Sequence, residues 1–178
     1  MRAALSARLV HHAPALFLLV SAALLLTAYL FQHVGGLAPC HLCVIQRYPH
    51  FIVMGLAIAA LVAGPRTRWV LFPLLLGIAA AYLAGAGYAA FHVGVEAGHF
   101  QSACAGQGAA GSIDDLRARI LAAPLVRCDD VAWSLFGLSM AAWNGIASVA
   151  LALIALYAAW RSHPFQKHSS AHERASAA

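Results

Sequence analysis

Cys40 and Cys43 stand three residues apart in the stretch Pro39-Cys40-His41-Leu42-Cys43-Val44-Ile45-Gln46-Arg47. Thiols at that spacing can close a small strained ring, and a strained disulfide exchanges electrons readily rather than holding a fold together. Redox chemistry is therefore the first expectation. If Cys43 opens the helix that Val44 continues, its sulfur meets unpaired backbone N–H groups, which favour the thiolate. Arg47 lies four residues further on, on the same helical face, and adds a second positive influence. Haem attachment of the c type needs His directly after the second Cys, and Val44 stands there. A structural zinc site would need two more ligands at similar local spacing, whereas Cys104 and Cys128 are remote in sequence. A static disulfide outside the cytosol is the other bland reading.

These residues must be positioned by an unusually apolar chain. Of 178 residues, 62% are hydrophobic and 10% charged, with a mean hydropathy of +0.77. A soluble domain of this length could not hide so much apolar surface, so lipid is the expected solvent for most of it. The length leaves no room for a separate soluble domain. Four apolar segments stand out, at about residues 15–31, 44–63, 69–92 and 135–160. Each is long enough, at 1.5 Å rise per residue, to cross or nearly cross a bilayer core of roughly 30 Å. A cleaved signal peptide competes for the first of them, but the run is long and no clean small-x-small site follows it. The expected fold is an all-α integral membrane protein, a four-transmembrane-helix bundle. Small residues recur in the third span at Gly77, Ala81, Gly85 and Ala89, a spacing that permits close helix contact. Asn144 is the one strongly polar member of the fourth.

Charge placement orients the bundle. The arm at residues 1–14, the Gly64–Arg68 turn and the tail at 161–178 together hold seven cations, Arg2, Arg8, Arg66, Arg68, Arg161, Lys167 and Arg174, against Glu173 alone. The connections at about residues 32–43 and 93–134 carry all four cysteines and the remaining acids. The positive-inside rule makes the first group cytoplasmic and puts the thiols on the far side, where they can be oxidised and kept so. The net charge of +5 is thus topological and not a nucleic-acid footprint.

The long connection at 93–134 has Gly106, Gly108 and Gly111 beside Cys104, and an acidic setting, Asp129-Asp130, after Cys128. Ser112-Ile113-Asp114-Asp115 reads as a helix cap with acids in the first turn, and Ile113, Leu116 and Ile120 follow at helical spacing. A short amphipathic helix is expected there, lying on the membrane surface or packed on the loop's own core. If Cys104 and Cys128 bond, their bridge joins two flexible arms and is accessible to another protein; a loop staple is the alternative. The tail after Arg161 is expected to be disordered.

Gln32-His33 ahead of Pro39-Cys-x-x-Cys, Gln46-Arg47 after it, the loop with Cys104 and Cys128, and the run from Trp133 to Trp143-Asn144 together resemble the DsbB family of bacterial envelope disulfide-generating proteins. The resemblance covers the first span to the fourth. It implies an inner-membrane enzyme with cytoplasmic termini, periplasmic cysteines and a long periplasmic loop. A reduced DsbA-like thioredoxin-fold partner attacks a loop disulfide, Cys104 takes the mixed disulfide, and Cys104 with Cys128 then reduces the Cys40–Cys43 pair. Cys43, as thiolate, passes the electrons to a quinone, ubiquinone ahead of menaquinone, with no metal involved. Arg47 matches the arginine that supports the quinone site. His92 falls where the family often has a quinone-contacting histidine, although a histidine solvated at the headgroups would read the same way. The competing class is a non-enzymatic membrane subunit or metal-binding protein with static cysteines.

Overall fold

A computed structural model describes residues 2–64, 68–102, 112–114, 117 and 126–164, with side chains from residue 12 onward. Helix α1 spans Arg2–His33. A short helix α2, His41–Ile45, leads through Gln46 into α3, Arg47–Ala63, and α4 follows at Arg68–Glu96. A hairpin of two two-residue strands, β1 (Ser134–Leu135) and β2 (Leu138–Ser139), precedes α5, Met140–Ser162. Among the described residues, four stretches are long and apolar enough to cross a membrane: His12–His33, His41–Ala63, Arg68–Glu96 and Met140–Ser162. The protein is a four-helix multi-pass membrane protein.

Two boundaries differ from expectation, each for a local reason. The fourth span starts at Met140 instead of about 135 because the chain first reverses. Ser134 pairs with Ser139 and Leu135 with Leu138 around Phe136-Gly137, both at positive φ. Ser139 then caps α5, its hydroxyl accepting from the Ala142 N–H at 3.2 Å. The second span starts at His41, with Cys40 as its N-cap in extended conformation and its sulfur accepting from the Cys43 N–H. Cys40, and not Cys43, therefore occupies the helix opening, because the extended Pro39–Cys40 segment lets the chain turn helical three residues earlier.

The bundle closes in the order α1, α3, α4, α5, with α5 also touching α1. Its core is rich in small side chains, Ala57, Ala79, Ala152, Ala155 and Ala158 among them, beside Phe17, Leu75 and Tyr82. Backbones can then approach closely, which is how helices associate where lipid removes the hydrophobic drive. The small residues of the third span are used inside one chain. A Cβ on Gly85 would lie 3.3 Å from Pro49 Cβ and 3.5 Å from Ser148 Oγ, and one on Gly145 would lie 3.2 Å from Ala89 Cβ. The large apolar side chains left outside, such as Leu19, Val62, Leu83 and Leu153, are what a lipid-facing surface requires.

Of the expected loop helix, Ile113 and Asp114 are helical and Ile113 is exposed; most of it, together with Cys104, lies outside the described residues. So does the tail from residue 165 onward.

Candidate functional site

The cysteine-bearing end of the bundle is sealed by a small cluster in which Cys40, Leu42, Val95 and Cys128 are buried and Cys43, Ile45 and Val126 pack against them. Cys40 and Cys43 are both free, with sulfurs 3.0 Å apart sharing a hydrogen bond. That is about 1 Å beyond a disulfide bond, so closing the pair requires little motion. Cys128 is disulfide-bonded and fully buried. Three of the four cysteines thus lie together in one cluster at this end of the bundle.

The thiols face different surroundings. Cys43 lines an apolar cavity of about 380 Å³ whose wall also includes Leu25, Ala28, Phe31, Pro39, Trp133 and Met140. The cavity's polar groups include Gln46, Arg47, His50 and Asn144, from α3, α5 and the turn before α3, and Thr27 from α1. Arg47 is held there by donating to Gln32 Oε1 at 2.8 Å and by lying 4.7 Å above the Tyr29 ring. Among the described residues no carboxylate pairs with it, so its charge is available to the cavity. The four-residue spacing from Cys43 does place both on one wall, as helical periodicity dictates.

Cys40 sits behind, away from the cavity. Its sulfur lies 3.6 Å from His92 Nε2. The hydrogen bond from the Cys43 thiol is the main force pulling the Cys40 thiol down to about 4; burial opposes it, and His92 and the Cys43 N–H assist. The thiolate preference expected of Cys43 thus falls on Cys40, the residue that occupies the cap. His92 is buried at 3% exposure, not solvated at a headgroup, and is absent from the cavity lining; it contacts the sulfur instead. Glu96 Oε1 lies 3.8 Å from its Nε2.

Sequence reasoning named Gln46, Asn144 and His92 but passed over His50 and the contacts that join them. His50 Nε2 is 2.9 Å from Asn144 Oδ1, Asn144 Nδ2 donates to Gln46 Oε1 at 2.8 Å, and Gln46 Nε2 is 2.7 Å from His92 Nδ1. Ser21 Oγ is 3.4 Å from His50 Nδ1 and 2.9 Å from Tyr82 Oη. The signal was present: His50 is a titratable residue inside an apolar span, three residues past Arg47 and seven past Cys43, hence on their face.

The sulfurs of Cys40 and Cys43 and a ring nitrogen of His92 come within 4.8 Å of one another, a separation a soft metal could bridge. The hydrogen bonding argues against that use. An amide nitrogen only donates, so Gln46 Nε2 makes His92 Nδ1 the acceptor and leaves the proton of the neutral ring on Nε2, facing the sulfur. A protonated nitrogen cannot coordinate a metal. It can hydrogen-bond a thiolate.

Four membrane-crossing helices with a buried dithiol at one end, between an ionisable cluster and an apolar cavity, define a membrane thiol oxidoreductase. The family model of the disulfide bond formation protein DsbB matches residues 11–158. The chain belongs to the DsbB family and is a disulfide-forming membrane oxidoreductase. It is 34% identical to disulfide bond formation protein B of Herminiimonas arsenicoxydans over 83% of this chain and 95% of that protein. It is 32% identical to the protein of the same name from Verminephrobacter eiseniae, over 80% of this chain and 81% of that one. Disulfide bond formation protein B of a Psychrobacter species is 29% identical over 82% and 88% of the two chains.

Proposed function

We propose that this chain reoxidises the dithiol of a DsbA-like, thioredoxin-fold protein in the bacterial periplasm and passes the electrons to a quinone of the inner membrane, with both termini cytoplasmic. The observation that carries this reading is the two-sided placement of one dithiol. Cys40 packs in the same buried cluster as Cys128, whereas Cys43 faces the cavity. One side suits exchange with a loop disulfide, and the other suits an acceptor dissolved in lipid.

The cavity fits a quinone headgroup in size and in chemistry. About 380 Å³ is within the range of small-molecule sites, and a mostly apolar wall with a few convergent polar groups is their usual make-up. Arg47, His50 and Asn144 would hold ring oxygens there, and Cys43 is the sulfur on the same wall. The bound quinone supplies the terminal two-electron oxidant. Ubiquinone is favoured over menaquinone by the resemblance alone.

The reaction balances as a transfer of two electrons and two protons. The partner's dithiol becomes a disulfide, and the quinone becomes a quinol. Within the chain, Cys104 accepts the mixed disulfide and its bridge to Cys128 opens. The released thiols reduce the Cys40–Cys43 disulfide, whose reduced form is stabilised by the low-lying Cys40 thiolate. A disulfide whose dithiol form is stabilised is a strong oxidant, so the pair can draw electrons from the loop. Arg47 stabilises negative charge at the cavity wall, where low dielectric strengthens its effect. Residues 15–160 form the redox domain in this reading.

The test is anaerobic addition of ubiquinone to the fully reduced protein. One quinol should appear per Cys40–Cys43 disulfide restored. A protein with static cysteines would show no quinone-linked change, and that result would remove the proposal.

A further inference from the structure

Besides the sulfurs and Arg47, the cysteine-bearing end holds a chain of polar side chains, buried except for the half-buried Asn144, whose hydrogen bonding to one another the electron-transfer scheme does not use. It crosses the bundle from α1 to α4 as Ser21, His50, Asn144, Gln46 and His92, ending at Cys40. Each link has one permissible direction. Asn144 Oδ1 can only accept, so His50 Nε2 carries a proton; His50 Nδ1 is then an acceptor toward Ser21. Asn144 Nδ2 donates to Gln46 Oε1, which turns Gln46 Nε2 toward His92 Nδ1 as donor. His92 presents Nε2–H to Cys40. Every donor in the chain therefore points toward the sulfur.

We infer that Asn144 and Gln46 are positioning residues: this one-directional chain fixes the protonation of His92 so that Nε2–H always faces Cys40, and it couples the cavity wall to the redox sulfur without touching it. The groups around His92 Nε2 agree with this assignment. Cys40 sulfur and the Glu96 carboxylate at 3.8 Å both call for a proton there. Gln46 is the side chain that meets Nδ1. Asn144 sits on α5, remote from the Cys-x-x-Cys motif in sequence, and bonds to Gln46 rather than to His92 or a sulfur, yet it decides which end of the Gln46 amide His92 meets. Directional chains of this kind polarise each link in the same sense, which strengthens the last one. The inference deepens the reading above, since it takes Cys40–Cys43 as the redox pair.

A carboxylate at position 144 tests it. In Asn144→Asp the side chain can only accept, from His50 and from Gln46, so the Gln46 amide turns and offers its oxygen to His92 Nδ1. With acceptors on both sides, His92 takes a second proton. The measurement is nitrogen NMR of histidine-labelled full-length protein in micelles, reduced and quinone-free. Wild type should show an unprotonated, imine-type Nδ1 on His92, and Asn144→Asp should show that nitrogen protonated. Gln46→Glu, which places an acceptor directly against Nδ1, should do the same and serves if the first variant folds poorly. A protonated Nδ1 in wild type, or an unchanged pattern in both variants, would overturn the inference.

The second readout is the equilibrium of the Cys40–Cys43 pair with a glutathione buffer, read by peptide-resolved thiol labelling. The added imidazolium should shift it toward the dithiol by about tenfold, the scale of one charge-assisted hydrogen bond. No shift alongside a protonated Nδ1 would show that the chain does not reach the sulfur. Neither measurement involves quinone. Failure of quinone to reoxidise the dithiol would remove the electron-transfer reading and leave this one standing.

Discussion

Cys40 and Cys43 show how three residues of difference in a helix start redistribute chemistry. Placing Cys40 at the cap gives its sulfur the Cys43 N–H as donor and a hydrogen bond shared with the Cys43 thiol, and leaves Cys43 to meet the cavity. With the Cys40 thiol moved from 9.0 down to about 4, thiolate ultraviolet absorbance in the reduced protein should persist at mildly acid pH. Cys40→Ser should abolish that component. The sign for stability follows from the depressed value. The contribution is full above the ordinary thiol range, shrinks as pH falls from about 9 and is gone below about 4, so the stability gap between reduced wild type and Cys40→Ser should close on acidification. A gap independent of pH would contradict the assignment. For the cavity-facing thiol, Cys43→Ser should abolish quinone reduction while leaving the helical content unchanged by circular dichroism. Arg47→Met should raise the apparent KM for quinone, and an unchanged value would take Arg47 out of the site.

At the scale of elements, the tight hairpin before α5 carries a visible cost. Phe136 is held at φ 53 and is 88% exposed, in a turn that completes its reversal through Gly137 at φ 78. A bulky side chain in the left-handed region costs about 1–2 kcal/mol, whereas Asn or Gly tolerates it. Phe136→Asn should therefore raise the thermal midpoint by the equivalent of about 1 kcal/mol; a lowered midpoint would mean that the exposed ring makes a contact worth more than the strain. The α3–α4–α5 contact behaves oppositely. Gly85 faces Pro49 and Ser148 with no room for a branched side chain, so Gly85→Val should cost roughly 1–3 kcal/mol by overpacking. Ser148 Oγ is buried and has no hydrogen-bond partner among the described residues. Ser148→Ala should be neutral or stabilising, by about 1 kcal/mol, in the same melting experiment.

For the whole molecule, the two ends of the bundle do different work. One is bound by cations at Arg68 and Arg161 and the other carries the dithiol cluster. If the cation-rich end is cytoplasmic, a membrane-impermeant thiol reagent applied outside the inner membrane should label Ala97→Cys and spare Ala63→Cys, in a background whose native cysteines are serine. The opposite pattern would invert the molecule and remove the periplasmic partner from the account.

Much of this architecture was legible in the chain because lipid is an unforgiving solvent. Backbone groups in hydrocarbon must be satisfied internally, so long apolar runs had to be helices, and four of them had to pack together. The Cys-x-x-Cys motif and Arg47 were legible for a similar reason, since helical periodicity alone puts Cys43 and Arg47 on one wall. Neither the helix cap nor the polar chain was. Which cysteine takes the cap depends on where an extended Pro39–Cys40 segment turns helical, and His50, Asn144, Gln46 and His92 are brought into contact from three different segments. Residues 46, 50, 92 and 144 share no local pattern that sequence could display. The bundle's closure decides that they meet, and once they meet in a water-poor interior each must find its partner, because an unpaired buried polar group is costly.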